Sequence, residues 1–269
     1  MIFSLLILLH VCILTVDSMV ISPFSKRSGV QKREEIPLNM APDSVDDSYT
    51  GCAVDMKETI YKTYLSKELN ENEELKTLWK TNCANEMFKK KESVDKDLEL
   101  DHFKALYAYT AESTLYSKFN NAVRTKGPEY TSGFSYHAMH FLLSDAIRVL
   151  KENQPTCVTT YRRTKLEFKG EVNTEMRFGF FASSSKKTDL TDFGDKTCFE
   201  IETCYGAYLK KYSCFGTDEE EVLIPPYEKF KITAIEHKGN VLQCNVLYKL
   251  KSSETKSNFN CKAVPEVPV

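Results

Sequence analysis

After Val16 this 269-residue chain contains no long hydrophobic run, so nothing beyond its start spells a membrane span, which needs about 20 apolar residues. It lacks both G-x-G-x-x-G and G-x-x-x-x-G-K-[ST]. The glycine loops that seat phosphates on a helix N-terminus are thereby excluded, and any bound nucleotide must be held by another architecture. There is no C-x-x-C, and the five histidines (His10, His102, His137, His140, His237) do not stand at ligand spacing from cysteines. That weighs against a structural zinc site. Charge of one sign is also missing, with 36 basic residues against 38 acidic ones and a net charge of −2. Nucleic acid is therefore not the expected partner, because phosphate binders usually carry a net basic face. No N-x-[ST] sequon occurs, so N-glycosylation is not expected.

Hydrophobic residues make up 42% of the chain and aromatics 12%, enough for one sizeable core. Ile2 to Val16 is nearly all apolar, the length of a signal-peptide core rather than a span. Only the Met1 amine charges its front, and an uncleaved anchor is the competing reading. The C-terminal Cys261–Val269 stretch lacks the hydrophobic tail of a lipid-anchor signal. The expectation is a secreted, monomeric protein without a membrane anchor. Residues 1–20 read as signal peptide and residues 21–50 as a linker or propeptide. In that linker, prolines and the dibasic pairs Lys26-Arg27 and Lys32-Arg33 replace apolar periodicity. Residues 51–269 read as the folded domain. Eight cysteines remain after the signal peptide, an even number that fits up to four disulfides in 105 pairings.

Residues 51–154 read as helical and residues 155–261 as a β core, which makes an α+β fold. Two charged helices are expected near Met56–Leu69 and Glu73–Lys91. An amphipathic stripe follows from Phe103 to Val123 and stops at Gly127-Pro128, and a last helix covers Tyr136–Lys151. His137 and His140 share a face of that helix and read as packing residues. Strands are expected at Cys157–Tyr161, Met176–Ala182, Cys198–Thr203, Ala207–Tyr212, Val222–Ile224, Phe230–Glu236 and Val241–Leu250.

Three segments carry chemistry: Thr160-Tyr161-Arg162-Arg163 at a strand end, Arg177–Ser185 (RFGFFASSS), and Glu219–Glu228 (EEEVLIPPYE) leading into a strand. Singly each reads as surface charge, loop or solvated turn. In this order, with Thr203–Tyr208 (TCYGAY) between, they resemble the R-S-E signature of the vertebrate arginine-specific ecto-ADP-ribosyltransferases. The resemblance extends from about Gly51 to Cys261. It implies a helical part followed by a mainly antiparallel β-sandwich, NAD as co-substrate, no metal, and an arginine of an extracellular or cell-surface protein as acceptor.

The residue types suit that chemistry. Breaking the bond between ribose and cationic nicotinamide passes through an oxocarbenium-like state, which a nearby carboxylate stabilises. A guanidinium acceptor is charged and a poor nucleophile, so a second carboxylate must orient it and help remove a proton. In an extended Glu219-x-Glu221, both side chains share one face, roughly 6.5–7 Å apart along the strand. The resemblance assigns Glu221 to the ribose, Glu219 to the target arginine, Arg162 to the dinucleotide by charge-assisted bonds, and Ser183 to the support of Glu221. It adds Asn120 and Phe193 as NAD contacts, Phe193 by stacking on nicotinamide. It assigns to the Arg163 position a backbone grip on the nicotinamide carboxamide. The family usually has glycine there, and the arginine adds bulk beside the pocket. For that reason an NAD glycohydrolase and a catalytically silent binding protein stay open as alternatives. The resemblance also implies the bridges Cys157–Cys204 and Cys52–Cys261. Proximity in the expected sheet suggests Cys198 with Cys214, which leaves Cys83 with Cys244.

Overall fold

The computed structural model describes residues 35–264; the expected signal peptide lies outside them. A short strand β1 (Ile36–Pro37) precedes the helical part. There α1 (Ala53–Thr59), a π turn (Ile60–Tyr64) and α2 (Leu65–Glu71) run on as one stretch, followed by α3 (Glu73–Trp79) and α4 (Cys83–Lys89). The single amphipathic helix expected from Phe103 to Val123 is two, α5 (Leu100–Thr110) and α6 (Leu115–Thr125). The chain turns extended at Ala111 (ψ 146°), and the hydroxyl-rich run Thr110–Thr114 offers the backbone other partners. The last helix, α7 (His137–Glu152), is buried on nearly every side, which marks it as the central helix of the core. The buried Glu68 carboxylate accepts hydrogen bonds from its first amides, those of His137 (2.6 Å) and Ala138 (3.0 Å), where the helix dipole favours a negative charge. His140 is fully buried and bonded to the Tyr49 hydroxyl and the Val45 carbonyl. His137 stacks between Tyr64 and Tyr130. Both pack, as their helix positions imply.

The β half comprises β2 (Val158–Thr164), β3 (Phe168–Lys169), β4 (Glu175–Met176), β5 (Ala182–Ser185), β6 (Thr197–Thr203), β7 (Ala207–Tyr208), β8 (Glu221–Ile224), β9 (Glu228–His237) and β10 (Val246–Thr255). Eight of these join in the order β4-β9-β10-β6-β2-β5-β8-β7, while β3 pairs with β1. All neighbours in the eight-stranded sheet are antiparallel except β10 and β6. Between β2 and β5 the register is a single pair, Tyr161 with Ser185, so the sheet has a narrow seam there. The strand expected over Met176–Ala182 is interrupted. Gly179 sits at φ +69°, and a Cβ on it would lie 2.3 Å from the Ala41 side chain. Only glycine fits that conformation and approach.

Residues 35–50, expected as linker, belong to the folded body. Val45, Asp46 and Asp47 have no exposure. Asp46 pairs with the buried Arg177 guanidinium at 2.5 Å and accepts the Asn258 and Phe259 amides. Asp47 accepts the Tyr49 and Cys261 amides and the Tyr130 hydroxyl. Sequence periodicity missed this segment because backbone amides and buried charges hold it, rather than an apolar stripe.

Cys52–Cys261 and Cys157–Cys204 are bonded, as the resemblance implies. The remaining suggestion is corrected: Cys198 bonds Cys244, and Cys83 and Cys214 are free. Strands β6 and β10 are neighbours in register at Cys198 and Leu247, which brings Cys244 beside Cys198. Cys214 is instead exposed, its amide donating to Thr110 Oγ1 at 2.8 Å.

Asp46→Ala leaves the Arg177 charge buried without its counter-ion. The urea unfolding midpoint is expected to fall by the equivalent of about 3–5 kcal/mol, and an unchanged midpoint would refute a structural role for the pair.

Candidate active site

The seam between β2 and β5 opens into a cleft lined by Arg162, Ser183, Phe193, Glu219 and Glu221, among others. Alternation along β2 sends consecutive side chains to opposite faces. Arg162 donates from Nη1 to the Ser183 carbonyl at 2.6 Å, and its guanidinium lies over the Phe180 ring. Arg163 also lines the cleft, but its guanidinium is held elsewhere. It donates to the Thr188 carbonyl (2.7 Å) and the Leu242 carbonyl (3.0 Å) and lies against the Cys198–Cys244 sulfurs. The added bulk therefore ties two loops together.

The serine triplet on β5 divides its duties. Ser184 Oγ donates to the Val222 carbonyl at 3.0 Å, and Ser185 Oγ to the Glu219 carbonyl at 2.5 Å. Ser183 Oγ lies 3.5 Å from the Tyr109 hydroxyl and near enough to Glu221 to favour its charged form. Glu221 opens β8 and is 5% exposed. Its Oε2 accepts from Ser213 Oγ at 2.8 Å. Burial pushes its carboxyl up from the usual range, opposed by the Ser213 and Ser183 hydrogen bonds and the Arg162 charge.

Glu219 reaches the same cleft by a different route from the one expected. The chain is not extended across Glu220, which sits in the left-handed region at φ +44°. That kink, braced by Lys186 N donating to the Glu220 carbonyl at 3.2 Å, brings Glu219 in from the preceding turn. Partial burial, then the Glu221 and Asp218 charges, raise its carboxyl to about 7. The cleft thus holds two carboxyls in different surroundings, one buried among hydroxyls and one poised to titrate near neutrality.

Asn120 is not among the residues lining the cleft. It stands behind them on α6, its Nδ2 donating to the Tyr109 hydroxyl at 3.2 Å. Glu228, at the far end of the third motif, is wholly buried and accepts from Thr203 Oγ1 and the Cys204 amide; it braces the TCYGAY turn. Cys157, Glu202 and Cys204 bring metal-type ligands together, but those sulfurs are bonded to each other. Sequence reasoning missed Ser213 as a partner of Glu221 and Tyr109 as the bridge to Ser183. Neither sits in a pattern that separates it from a turn serine or a core tyrosine.

The family described as NAD:arginine ADP-ribosyltransferase matches residues 38–257. The chain belongs to this family. It is similar to the erythroblast NAD(P)(+)–arginine ADP-ribosyltransferase of Gallus gallus, at 34% identity over 87% of this chain and 78% of the relative. It is 37% identical to T-cell ecto-ADP-ribosyltransferase 2 of Mus musculus, over 83% of this chain and 76% of the relative. Among solved structures it matches a mutant of the eukaryotic mono-ADP-ribosyltransferase ART2.2 in complex with NAD. The TM-score is 0.69 at 32% identity, covering 84% of this chain and 98% of that one. In this ADP-ribosyltransferase the R, S and E of the signature meet at one seam of the sheet.

Removing the Ser213 hydroxyl takes away a donor worth about 1–1.5 kcal/mol. Ser213→Ala is expected to lower kcat about tenfold with little change in the unfolding midpoint. A variant with undiminished kcat would show that Glu221 does not rely on it.

Proposed function

We propose that the protein is an extracellular mono-ADP-ribosyltransferase that moves ADP-ribose from NAD to arginine side chains of proteins and releases nicotinamide. The observation that carries this reading is the convergence of Arg162, Ser183 and Ser213 around the buried Glu221, with Glu219 beside it. Arg162 holds the pyrophosphate by charge-assisted bonds. The backbone at Arg163 grips the carboxamide, and Phe193 stacks on nicotinamide. Asn120 contributes to NAD binding through the Tyr109 bridge to Ser183. Glu221, kept in place by two hydroxyls, stabilises positive charge on the ribose as the bond to nicotinamide lengthens. Glu219 orients the target guanidinium and takes its proton. Residues 1–20 act as a signal peptide, and the enzyme works as a secreted monomer on extracellular or cell-surface proteins. The disulfides support that compartment, as does the "ecto" in the name of the mouse relative. Among the described residues no helix is long and apolar enough to cross a membrane.

Two measurements test the roles. With labelled NAD and agmatine, Glu221→Gln is expected to lose transfer and nicotinamide release together, by about 10²–10³-fold. Glu219→Gln should lose transfer while release to water survives; equal loss of both would remove the division of labour.

The second is pH dependence. Glu219 acts as base only when ionised, and its carboxyl is raised to about 7. Transfer (kcat/KM for agmatine) is therefore expected to rise tenfold per pH unit below about 7 and level off above it. NAD hydrolysis should lack that limb. A transfer profile flat from pH 5.5 to 8 would rule out Glu219 as the base.

A further inference from the structure

Apart from the catalytic cleft, a second cavity of about 490 Å³ lies against α7, the segment before α1 and the turn after β6. That volume falls within the usual range for small-molecule sites, and none of the residues lining it lines the cleft. Tyr205 lines it at 40% exposure, and Tyr49 and Tyr227 line it as buried side chains. Tyrosine offers a flat apolar face and a polar tip, which suits a ligand that is apolar on one side and polar at its edge. Ser144 of α7 also lines the cavity. It is 3% exposed, and its Oγ has no hydrogen-bond partner among the described residues. A serine inside a helix often bonds back to the carbonyl one turn earlier, so an unpartnered hydroxyl here calls for a partner from outside the chain.

The charges at this cavity are already paired with one another. Arg148 Nε and Nη2 meet Asp145 Oδ1 at 2.9 and 2.7 Å, and Nη1 meets Glu152 at 2.6 Å. Asp145 Oδ2 is taken by His102 Nε2 at 3.1 Å. A cation therefore finds neither Asp145 oxygen free, and an anion meets a guanidinium that two carboxylates already neutralise. Burial, then the Glu228 and Asp145 charges, keep the Tyr227 phenol protonated, so it remains a donor. The hydroxyls of Ser144, Tyr227 and Thr255, with the two N–H groups of Arg148 that these bonds leave over, match a neutral ligand rich in hydroxyls, each of which both donates and accepts. We infer that this cavity binds a neutral saccharide and that it holds a glycan of the protein acceptor while the cleft acts on an arginine. The acceptor role rests on the transferase reading above; the saccharide site does not. From Glu221 in the cleft, β8 and the Pro225-Pro226 pair lead directly to Tyr227 at the cavity. That length of chain spans at most roughly 20 Å, so one glycosylated protein can reach both sites. Holding its glycan raises the effective concentration of its arginines at the cleft.

The test uses saturation-transfer NMR on the full secreted chain with methyl α-mannoside, methyl β-galactoside, methyl α-fucoside and N-acetylglucosamine, and with inorganic phosphate and agmatine as charged controls. At least one sugar is expected to bind. Tyr205→Ala, at an exposed position, should weaken that binding about tenfold, and Ser144→Ala should weaken it roughly fivefold. Both variants should keep the wild-type rate of agmatine transfer. No sugar bound, or affinity unchanged in both variants, would overturn the saccharide site; so would phosphate displacing the sugar. For the acceptor role, serum albumin carrying the bound sugar on its lysines is compared with plain serum albumin. The conjugate should show a KM about tenfold lower, and Tyr205→Ala should abolish the difference. Equal KM values in the wild type would overturn the acceptor role. If agmatine is not modified at all, the transferase reading fails and takes the acceptor role with it, while the sugar titration still decides the site.

Discussion

The Arg177 guanidinium never reaches solvent, and much of the fold is referenced to it. It pairs with Asp46 and donates to the carbonyls of Met40, Ala41 and Lys256. A buried charge is tolerated only when geometry and hydrogen bonding satisfy it fully, so these bonds fix the segments on both sides of the domain at once. The same arginine starts the run in which Gly179 approaches Ala41, Phe181 offers its carbonyl to Tyr109 and Ser183 reaches Glu221. The register of Ser183 thus depends on an ion pair at the other end of its motif.

Two carboxyls in one cleft oppose stability. Glu219 and Glu221 both have raised pKa values, chiefly because burial disfavours their charge. The folded protein therefore keeps protons that the unfolded chain would release. For Glu219 the sign is direct: folding is favoured below the ordinary carboxylate range. That advantage is lost as pH rises towards about 7, where the Glu219 carboxyl ionises. The left-handed Glu220 adds strain of about 1–3 kcal/mol. The three disulfides and the buried Arg177–Asp46 pair stand against these costs.

The helices Tyr136–Lys151 and Met56–Leu69 and most strands were legible because their signals are local: apolar period, β-branched runs and turn residues; the helix expected over Glu73–Lys91 is instead two, Glu73–Trp79 and Cys83–Lys89. Arg162, Ser183, Glu219 and Glu221 were legible as a motif in a fixed order, and they do line one cleft. What escaped was set by non-local geometry. The Cys198–Cys244 bridge follows from β10 lying beside β6, a pairing that spacing does not encode. The ordered segment before Gly51 is held by Asp46 and Asp47, whose partners lie more than two hundred residues on at Asn258 and Cys261. Ser213 is an ordinary turn residue until β8 delivers Glu221 to it.

Arg163 shows how such geometry changes the meaning of a residue. In sequence it is a bulky residue where the resemblance implies glycine, and it argues for a crowded, silent pocket. In the fold, strand alternation sends its guanidinium to the Thr188 and Leu242 carbonyls, in the loops that lead to Phe193 and to the Cys198–Cys244 bridge. Glycine at this position would leave those loops without that tie. With arginine, the cation holds the wall of the cleft while the neighbouring Arg162 faces into it. One short strand therefore supplies both the cation proposed to meet the dinucleotide and a tie between the loops beside the cleft, so the departure from the pattern leaves the cleft open to Arg162.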